Sequence, residues 1–250
     1  MATPPAIPAG ASRRQKPTSP PPAAKNAYLL AYNAVSAALW AGVLYKTVAM
    51  GAREISAASQ NGWLQAGEGP VGAVQKGLAS GRVYDGLQGY TRMVQSLAGL
   101  EVVHSLVGIV RAPLLTTLMQ VASRFLLVHL IAHPFPSTTR YSPAYTTMLL
   151  AWSITEVIRY SYFVFSLSGL GVPGLWTWLR YNTFLVLYPL GVASECWLVY
   201  KAVGPASRIN ALYGYALYAI LAIYVPGFYV LFTHMLKQRA RLKRNARRSL

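Results

Sequence analysis

The chain has 250 residues, of which 54% are apolar and 12% charged, with 23 Lys and Arg against six acids and a net charge of +17. A soluble domain is about 25% charged, so this composition excludes an ordinary soluble globule and indicates an all-α, polytopic membrane protein. The single cysteine, Cys196, excludes an internal disulfide and a thiolate metal centre. The absence of a Gly-Lys-Ser/Thr loop, of a Gly-x-Gly-x-x-Gly turn after a strand, and of a Gly-x-Ser-x-Gly elbow argues against soluble-type nucleotide or serine-hydrolase chemistry.

Residues 1–26 form a basic, Pro-rich tail; residues 1–25 hold seven of the sixteen prolines. Such a segment cannot bury enough apolar surface to order itself and is expected to be disordered. It lacks the apolar core of a signal peptide, so the first span is expected to direct insertion. Residues 27–236 contain six runs of the roughly 17–25 residues needed to cross a hydrocarbon layer. These are Ala27–Met50, Val94–Val110, Leu114–Ala132, Tyr145–Leu167, Leu175–Val199 and Ala211–Leu236, and they predict six transmembrane helices. The second is short and carries Glu101 and His104, which leaves open a buried or interfacial amphipathic helix. Between the first two spans, Gly51–Arg92 is glycine-rich and reads as a long connection on the non-cytoplasmic side. A short amphipathic piece is expected within it near Val71–Leu78. Residues 237–250 form a second basic tail.

The positive charge concentrates at the two ends, with Arg13, Arg14, Lys16 and Lys25 in one tail and Lys237, Arg239, Arg241, Lys243, Arg244, Arg247 and Arg248 in the other. Basic flanks favour the cytoplasmic face, so both termini are expected there, which requires an even number of crossings. Contact with anionic lipid head groups accounts for such flanks. No nucleic-acid partner is expected, because no aromatic residues are interleaved to stack bases. No internal repeat suggests the inverted halves of a transporter.

Polar residues within the expected spans are costly and therefore informative. Glu156 and Arg159 are spaced i, i+3 and can neutralise each other. Glu101 is expected to partner Arg124 across helices. His129 and His133 share a face, but without a carboxylate beside them interfacial anchoring accounts for them better than a metal. Tyr188 and Glu195 lie seven residues apart, two helical turns, and project from nearly one face. Glu195 has no cation near it on its own helix, so it must be protonated or held by hydrogen bonds. Pro189 removes a backbone donor and clashes with the carbonyl of Leu185, which predicts a kink beside Tyr188. Gly191 leaves room for another helix or a substrate chain. The two Cα atoms of Tyr188 and Glu195 would lie about 10.5 Å apart along a straight helix, within reach of one substrate through their side chains. This pairing points to acid–base chemistry on a fatty substrate.

Several strings carry a resemblance: Trp152-Ser-Ile-Thr-Glu156-Val-Ile-Arg159-Tyr160, Leu179-Arg180-Tyr-Asn182, and Leu187-Tyr188-Pro-Leu-Gly191-Val-Ala-Ser194-Glu195. With Leu100-Glu101-Val-Val-His104, Gln120-Val-Ala-Ser-Arg124, Ala31-Tyr-Asn33 and Tyr224-Val-Pro-Gly-Phe228, they are similar in order and spacing to the very-long-chain (3R)-3-hydroxyacyl-CoA dehydratase family. That family is also called protein-tyrosine-phosphatase-like A. The resemblance spans roughly residues 28–240 and departs from the family in the long N-terminal tail and the glycine-rich first loop.

The resemblance implies a hydro-lyase of the endoplasmic-reticulum membrane with six spans and both termini cytosolic. It implies the third step of fatty-acid elongation, loss of water from a very-long-chain (3R)-3-hydroxyacyl-CoA to give the trans-2-enoyl-CoA. The family's catalytic tyrosine and glutamate fall on Tyr188 and Glu195. The implied partners are the long-chain acyl-CoA, membrane lipid, and the condensing enzyme, ketoreductase and enoyl reductase of elongation. No metal or redox cofactor is expected. A cysteine phosphatase needs Cys-x5-Arg, and Ala202 stands at that position after Cys196.

Dehydration requires a base for the C2 proton and an acid for the departing C3 hydroxyl. Glu195 suits the acid and Tyr188 the partner acting at C2, with the reverse assignment open. Arg111 and Arg180 are the candidates to meet the CoA head group. A non-catalytic membrane adaptor or lipid-binding scaffold of the same fold is the alternative, which loss of Tyr188 or Glu195 would have favoured.

Overall fold

The computed structural model of the protein describes residues 23–60, 69–110 and 114–248, and every regular element among them is helical. The first helix, α1 (Ala23–Gln60), buries Asn33, Ser36, Trp40, Val43, Thr47 and Gly51. Steps of three and four residues place them on one stripe, the face a helix turns toward its neighbours. The expected first span lies inside α1, which continues well beyond Met50. Residues 1–22 of the proline-rich tail lie outside the described residues.

Helix α2 (Gly69–Leu78) covers the short amphipathic piece expected near Val71–Leu78 and packs along α1. A Cβ on Gly77 would stand 2.6 Å from the backbone of Ile55, so only glycine permits this approach. Gly81, at φ 86°, turns the chain into α3 (Arg82–Leu97).

Helix α3 corrects the expected connection, because the chain is helical from Arg82 rather than from Val94. Its buried residues Val83, Tyr84, Leu87, Thr91, Val94 and Gln95 again form a helical stripe. Charged Arg82, Asp85 and Arg92 on the remaining surface hide that stripe from a search for continuous apolar runs. After Ala98 the chain resumes as α4 (Gly99–Leu106).

Helix α5 (Leu114–Phe125) runs into π-helical turns over Leu126–Ala132, so the segment expected as the third span is helical throughout. The wider turns re-phase the side chains that follow Arg124. A single turn, α6 (Pro136–Thr139), leads into α7 (Pro143–Leu167), which matches the expected fourth span to within two residues.

Helix α7 is the central post. It buries Tyr145, Met148, Leu149, Ala151, Trp152, Glu156 and Tyr160, more than one stripe, because α1 covers one side and α9 another. Helices α8 (Gly174–Asn182) and α9 (Phe184–Ile209) meet at a 43° bend at Thr183. Pro189, beside which a kink is expected, sits inside α9, and this bend lies six residues before it. Asn182 Nδ2 donates to the carbonyl of Trp178 at 2.7 Å, and Thr183 Oγ1 to that of Leu179 at 2.8 Å. Side chains that bond back onto the preceding turn bend helices, which accounts for the position.

Helix α10 (Ala211–Arg248) packs against α9 and carries the basic residues from Lys237 to Arg248 in helical form. Helices α1 and α10 are long and apolar enough to cross a membrane, and the bent pair α8–α9 makes a third if it counts as one span. The core joins Trp40, Leu87, Leu127, Met148, Leu198 and Leu217.

Candidate active site

Small residues bring α9 close to α7. Gly191, Ser194, Ala202 and Ala206 are buried on α9, so its backbone can approach a neighbour without a thick layer of side chains. A Cβ on Gly191 would already touch Ala151 at 3.6 Å and Glu195 Oε1 at 3.9 Å. Thr147 and Ser194 share a hydroxyl–hydroxyl hydrogen bond of 2.8 Å across the same interface.

This contact carries Glu195 into the protein, where it is 7% exposed. Both carboxyl oxygens are engaged. The indole Nε1–H of Trp152 on α7 donates to Oε1 at 2.8 Å, and the hydroxyl of Tyr224 on α10 donates to Oε2 at 2.8 Å. The absence of a cation on its own helix is thus answered by two neutral donors from two other helices.

Tyr188 lies two turns before Glu195 on α9 and is half-buried. Its ring stacks on Phe228 at 5.3 Å and 12°, and on Phe232 at 6.2 Å and 8°, both from α10. The stack fixes the plane of the phenol while leaving its hydroxyl without a hydrogen-bond partner among the described residues. Glu195 instead takes its phenolic hydrogen bond from Tyr224, a residue the sequence reading did not place in the site. Tyr224 stands in the Tyr224-Val-Pro-Gly-Phe228 string, but α10 also carries Tyr213, Tyr215, Tyr218 and Tyr229, so its phenol alone did not mark it. Trp152 offered no signal beyond an aromatic in a span, since nothing local specifies where an indole N–H will point.

A charged cluster backs the site. Arg159 on α7 forks onto Glu101 on α4 at 2.9 and 2.7 Å, and its Nε donates to Glu156 at 2.7 Å. Arg124 on α5 donates to the other oxygen of Glu156, and Tyr160 donates to Glu101. The expected pair of Glu156 with Arg159 is present. The expected pair of Glu101 with Arg124 is not: Glu101 goes to Arg159 and Arg124 to Glu156. The i, i+3 spacing holds Glu156 and Arg159 together, so their remaining donors and acceptors are shared out between α4 and α5. The guanidinium of Arg124 also lies 5.1 Å from the centre of the Trp152 ring, which links the cluster to Glu195. His104, buried beside this cluster, pairs with the hydroxyl of Tyr28 at 2.8 Å, and His129 pairs with Ser96 at 3.1 Å.

Arg180 on α8 lies over the rings of Tyr162 and Phe163 at 4.5 and 4.9 Å. Nearby in sequence, Asn182 accepts from Arg239 of α10 at 3.0 and 2.8 Å. Arg111, the other residue expected to meet a head group, lies outside the described residues. Cys196 is a free, half-buried thiol, and the residue six positions on, at the phosphatase spacing, is the fully buried Ala202 rather than an arginine.

A family model described as protein tyrosine phosphatase-like protein, PTPLA, matches residues 95–245. The chain is 41% identical over 224 residues to a probable very-long-chain (3R)-3-hydroxyacyl-CoA dehydratase of Schizosaccharomyces pombe, covering 88% of this chain and 94% of that relative. It is 34% identical to the very-long-chain (3R)-3-hydroxyacyl-CoA dehydratase PASTICCINO 2 of Arabidopsis thaliana, over 90% of this chain and 96% of the relative. The corresponding dehydratase hpo-8 of Caenorhabditis elegans is 33% identical over 86% of this chain and 94% of its own length. No solved structure matches. Long collinear identity and the family model together place this chain in the protein tyrosine phosphatase-like, PTPLA, family.

Proposed function

We propose that the protein is a hydro-lyase that removes water from very-long-chain (3R)-3-hydroxyacyl-CoA to give trans-2-enoyl-CoA, the dehydration step of fatty-acid elongation. The observation that carries this reading is Glu195: a buried carboxyl held at both oxygens, on the same helix as a phenol whose hydroxyl has no hydrogen-bond partner among the described residues. Relatives at 33–41% identity named for this activity support it.

In the reaction the C2–H electron pair becomes the new π bond, the C2 proton goes to a base, and the C3–O bond breaks toward oxygen. The leaving hydroxyl departs as water with a proton from an acid. Glu195 and Tyr188 are the proposed pair. We assign Glu195 to the hydroxyl and Tyr188 to the C2 side. The phenol plane is held by the Phe228 and Phe232 stack, so substrate would meet an oriented hydroxyl.

The proposed setting is the endoplasmic-reticulum membrane, crossed six times by α1, α3–α4, α5 with its π-helical end, α7, α8–α9 and α10. Hydrogen bonds from Asn26 to the carbonyl of Leu167 and from Arg239 to Asn182 gather the start of α1, the end of α7, the end of α8 and the basic part of α10 at one end of the bundle. That grouping supports two basic termini on one side, which we take as cytosolic. Arg180 would receive the CoA phosphates there, with the acyl chain between helices, and Arg111 is the second residue proposed to meet the head group. The other elongation enzymes are the proposed neighbours.

Incubating the purified, detergent-solubilised protein with a long-chain 3-hydroxyacyl-CoA tests the assignment. Formation of the 2-enoyl thioester is expected, and its absence from folded protein would overturn it.

A further inference from the structure

Resting on Glu195 as an acid–base residue, we propose that Tyr224 is a positioning residue of the dehydration site, a reversible hydrogen-bond partner that serves Glu195 in both of its protonation states. The argument starts from the two groups that hold the carboxyl. Trp152 presents an indole N–H, which can donate and cannot accept. Oε1 is therefore an acceptor in either state of the carboxyl. A proton carried by Glu195 belongs on Oε2, the oxygen 2.8 Å from the hydroxyl of Tyr224.

A phenolic hydroxyl both donates and accepts. With Glu195 ionised, the Tyr224 O–H donates to Oε2. With Glu195 neutral, the carboxyl O–H on Oε2 donates to the Tyr224 oxygen across the same separation. No heavy atom moves between the two arrangements, so the site is organised before and after proton transfer. Whichever way the roles divide between Glu195 and Tyr188, Glu195 changes protonation state during turnover. A fixed donor at Oε2 would suit one state and oppose the other.

The position of Tyr224 is built by the fold. It is half-buried on α10, and one turn further on the same helix presents Phe228 to Tyr188. One helix thus sets the phenol plane of Tyr188 and the hydrogen bond of Glu195 together. Tyr224 also marks the side of the carboxyl from which a proton leaves, which orients the substrate hydroxyl toward α10.

The test compares Tyr224→Phe, Tyr224→His and Glu195→Gln in full-length protein in detergent, with turnover measured across a range of long-chain 3-hydroxyacyl-CoA concentrations. The expected result for Tyr224→Phe is a kcat lowered on the order of tenfold to a hundredfold, the loss of one hydrogen bond to a charged group. Its KM should stay close to that of the parent, with kcat read per folded molecule beside the thermal midpoint. Tyr224→His keeps a group that can donate and accept, and should recover part of the lost kcat; it also stands in should the Phe variant fail to fold. In the Glu195→Gln background, Tyr224→Phe should cause little further loss, because the two act as a unit. Parental kcat for Tyr224→Phe beside an inactive Glu195→Gln would overturn this inference and leave the acid–base role of Glu195 standing. Full activity of Glu195→Gln would overturn the underlying reading. An inactive Tyr224→Phe beside an active Tyr188→Phe would make Tyr224 the reacting phenol and overturn its positioning role.

Discussion

The indole of Trp152 joins the charged cluster to the site: its N–H donates to Glu195 Oε1 at 2.8 Å while its ring lies beneath the guanidinium of Arg124 at 5.1 Å. A continuous line of contacts thereby runs from Glu101 through Arg159, Glu156, Arg124 and Trp152 to Glu195, and on to Tyr224. It crosses α4, α5, α7, α9 and α10, so the carboxyl is placed by five helices rather than by its own alone.

Trp152→Phe keeps a ring face for Arg124 and removes the donor to Oε1. We expect kcat to fall on the order of tenfold or more, with the protein still folded. Turnover per folded molecule, measured beside the thermal midpoint, decides it. Parental turnover would mean that Oε1 needs no donor.

Tyr188→Phe and Glu195→Gln preserve shape and each remove one member of the proposed acid–base pair. Each should lower dehydration by about 10²–10⁴-fold. The double variant should be little worse than either single, because residues that act as a unit are not additive. Near-parental rates from either single, on equal amounts of folded protein, would discard the pair.

Glu156→Gln should act on stability first. Glu156 is almost fully buried and bridges two arginines, so its neutral analogue leaves Arg124 without its carboxylate and strips one partner from Arg159. Breaking such a pair costs about 3 kcal/mol. Arg159 keeps Glu101, so Glu101→Gln should also destabilise. A clear loss of thermal midpoint in detergent is expected, larger than any loss of turnover per folded molecule. A folded but inactive Glu156→Gln would move Glu156 into the chemistry.

Six crossings require both ends on one side. Tags at each terminus should be digested by protease added outside sealed microsomes. Protection of a single tag would leave an odd number of crossings.

Arg180→Ala should raise KM for the CoA thioester severalfold and leave kcat near the parental value, since its proposed contact is with the head group and not the reacting carbons. Arg180→Lys should recover only part of the loss, because the guanidinium lies on two aromatic rings and an ammonium stacks less well there. An unchanged KM would remove Arg180 from the binding surface.

The sequence by itself determined what is local. Apolar stretches with steps of three and four residues become helices because each backbone donor finds its acceptor one turn away, and α7 lies almost where that pattern puts it. The i, i+3 pair of Glu156 and Arg159 was equally legible, since one helix fixes their separation. The shared face of Tyr188 and Glu195 follows from the same geometry. Helix α3 was harder to read because its buried stripe is interrupted by charges on the outer face, and a window that averages around the helix loses it.

The tertiary structure decided everything that depends on how helices rotate against one another. The sequence paired Arg124 with Glu101, and the rotation of α5 in the bundle turned it to Glu156 instead. The bend went to Thr183 because side chains there bond back onto the preceding turn, a choice competing with the proline six residues on. The partners of Glu195 lie 43 residues before it and 29 residues after it in sequence. No local spacing encodes such pairs. They form because small residues let α9 sit against α7 and α10, and a carboxyl buried at that junction must be met by donors from both.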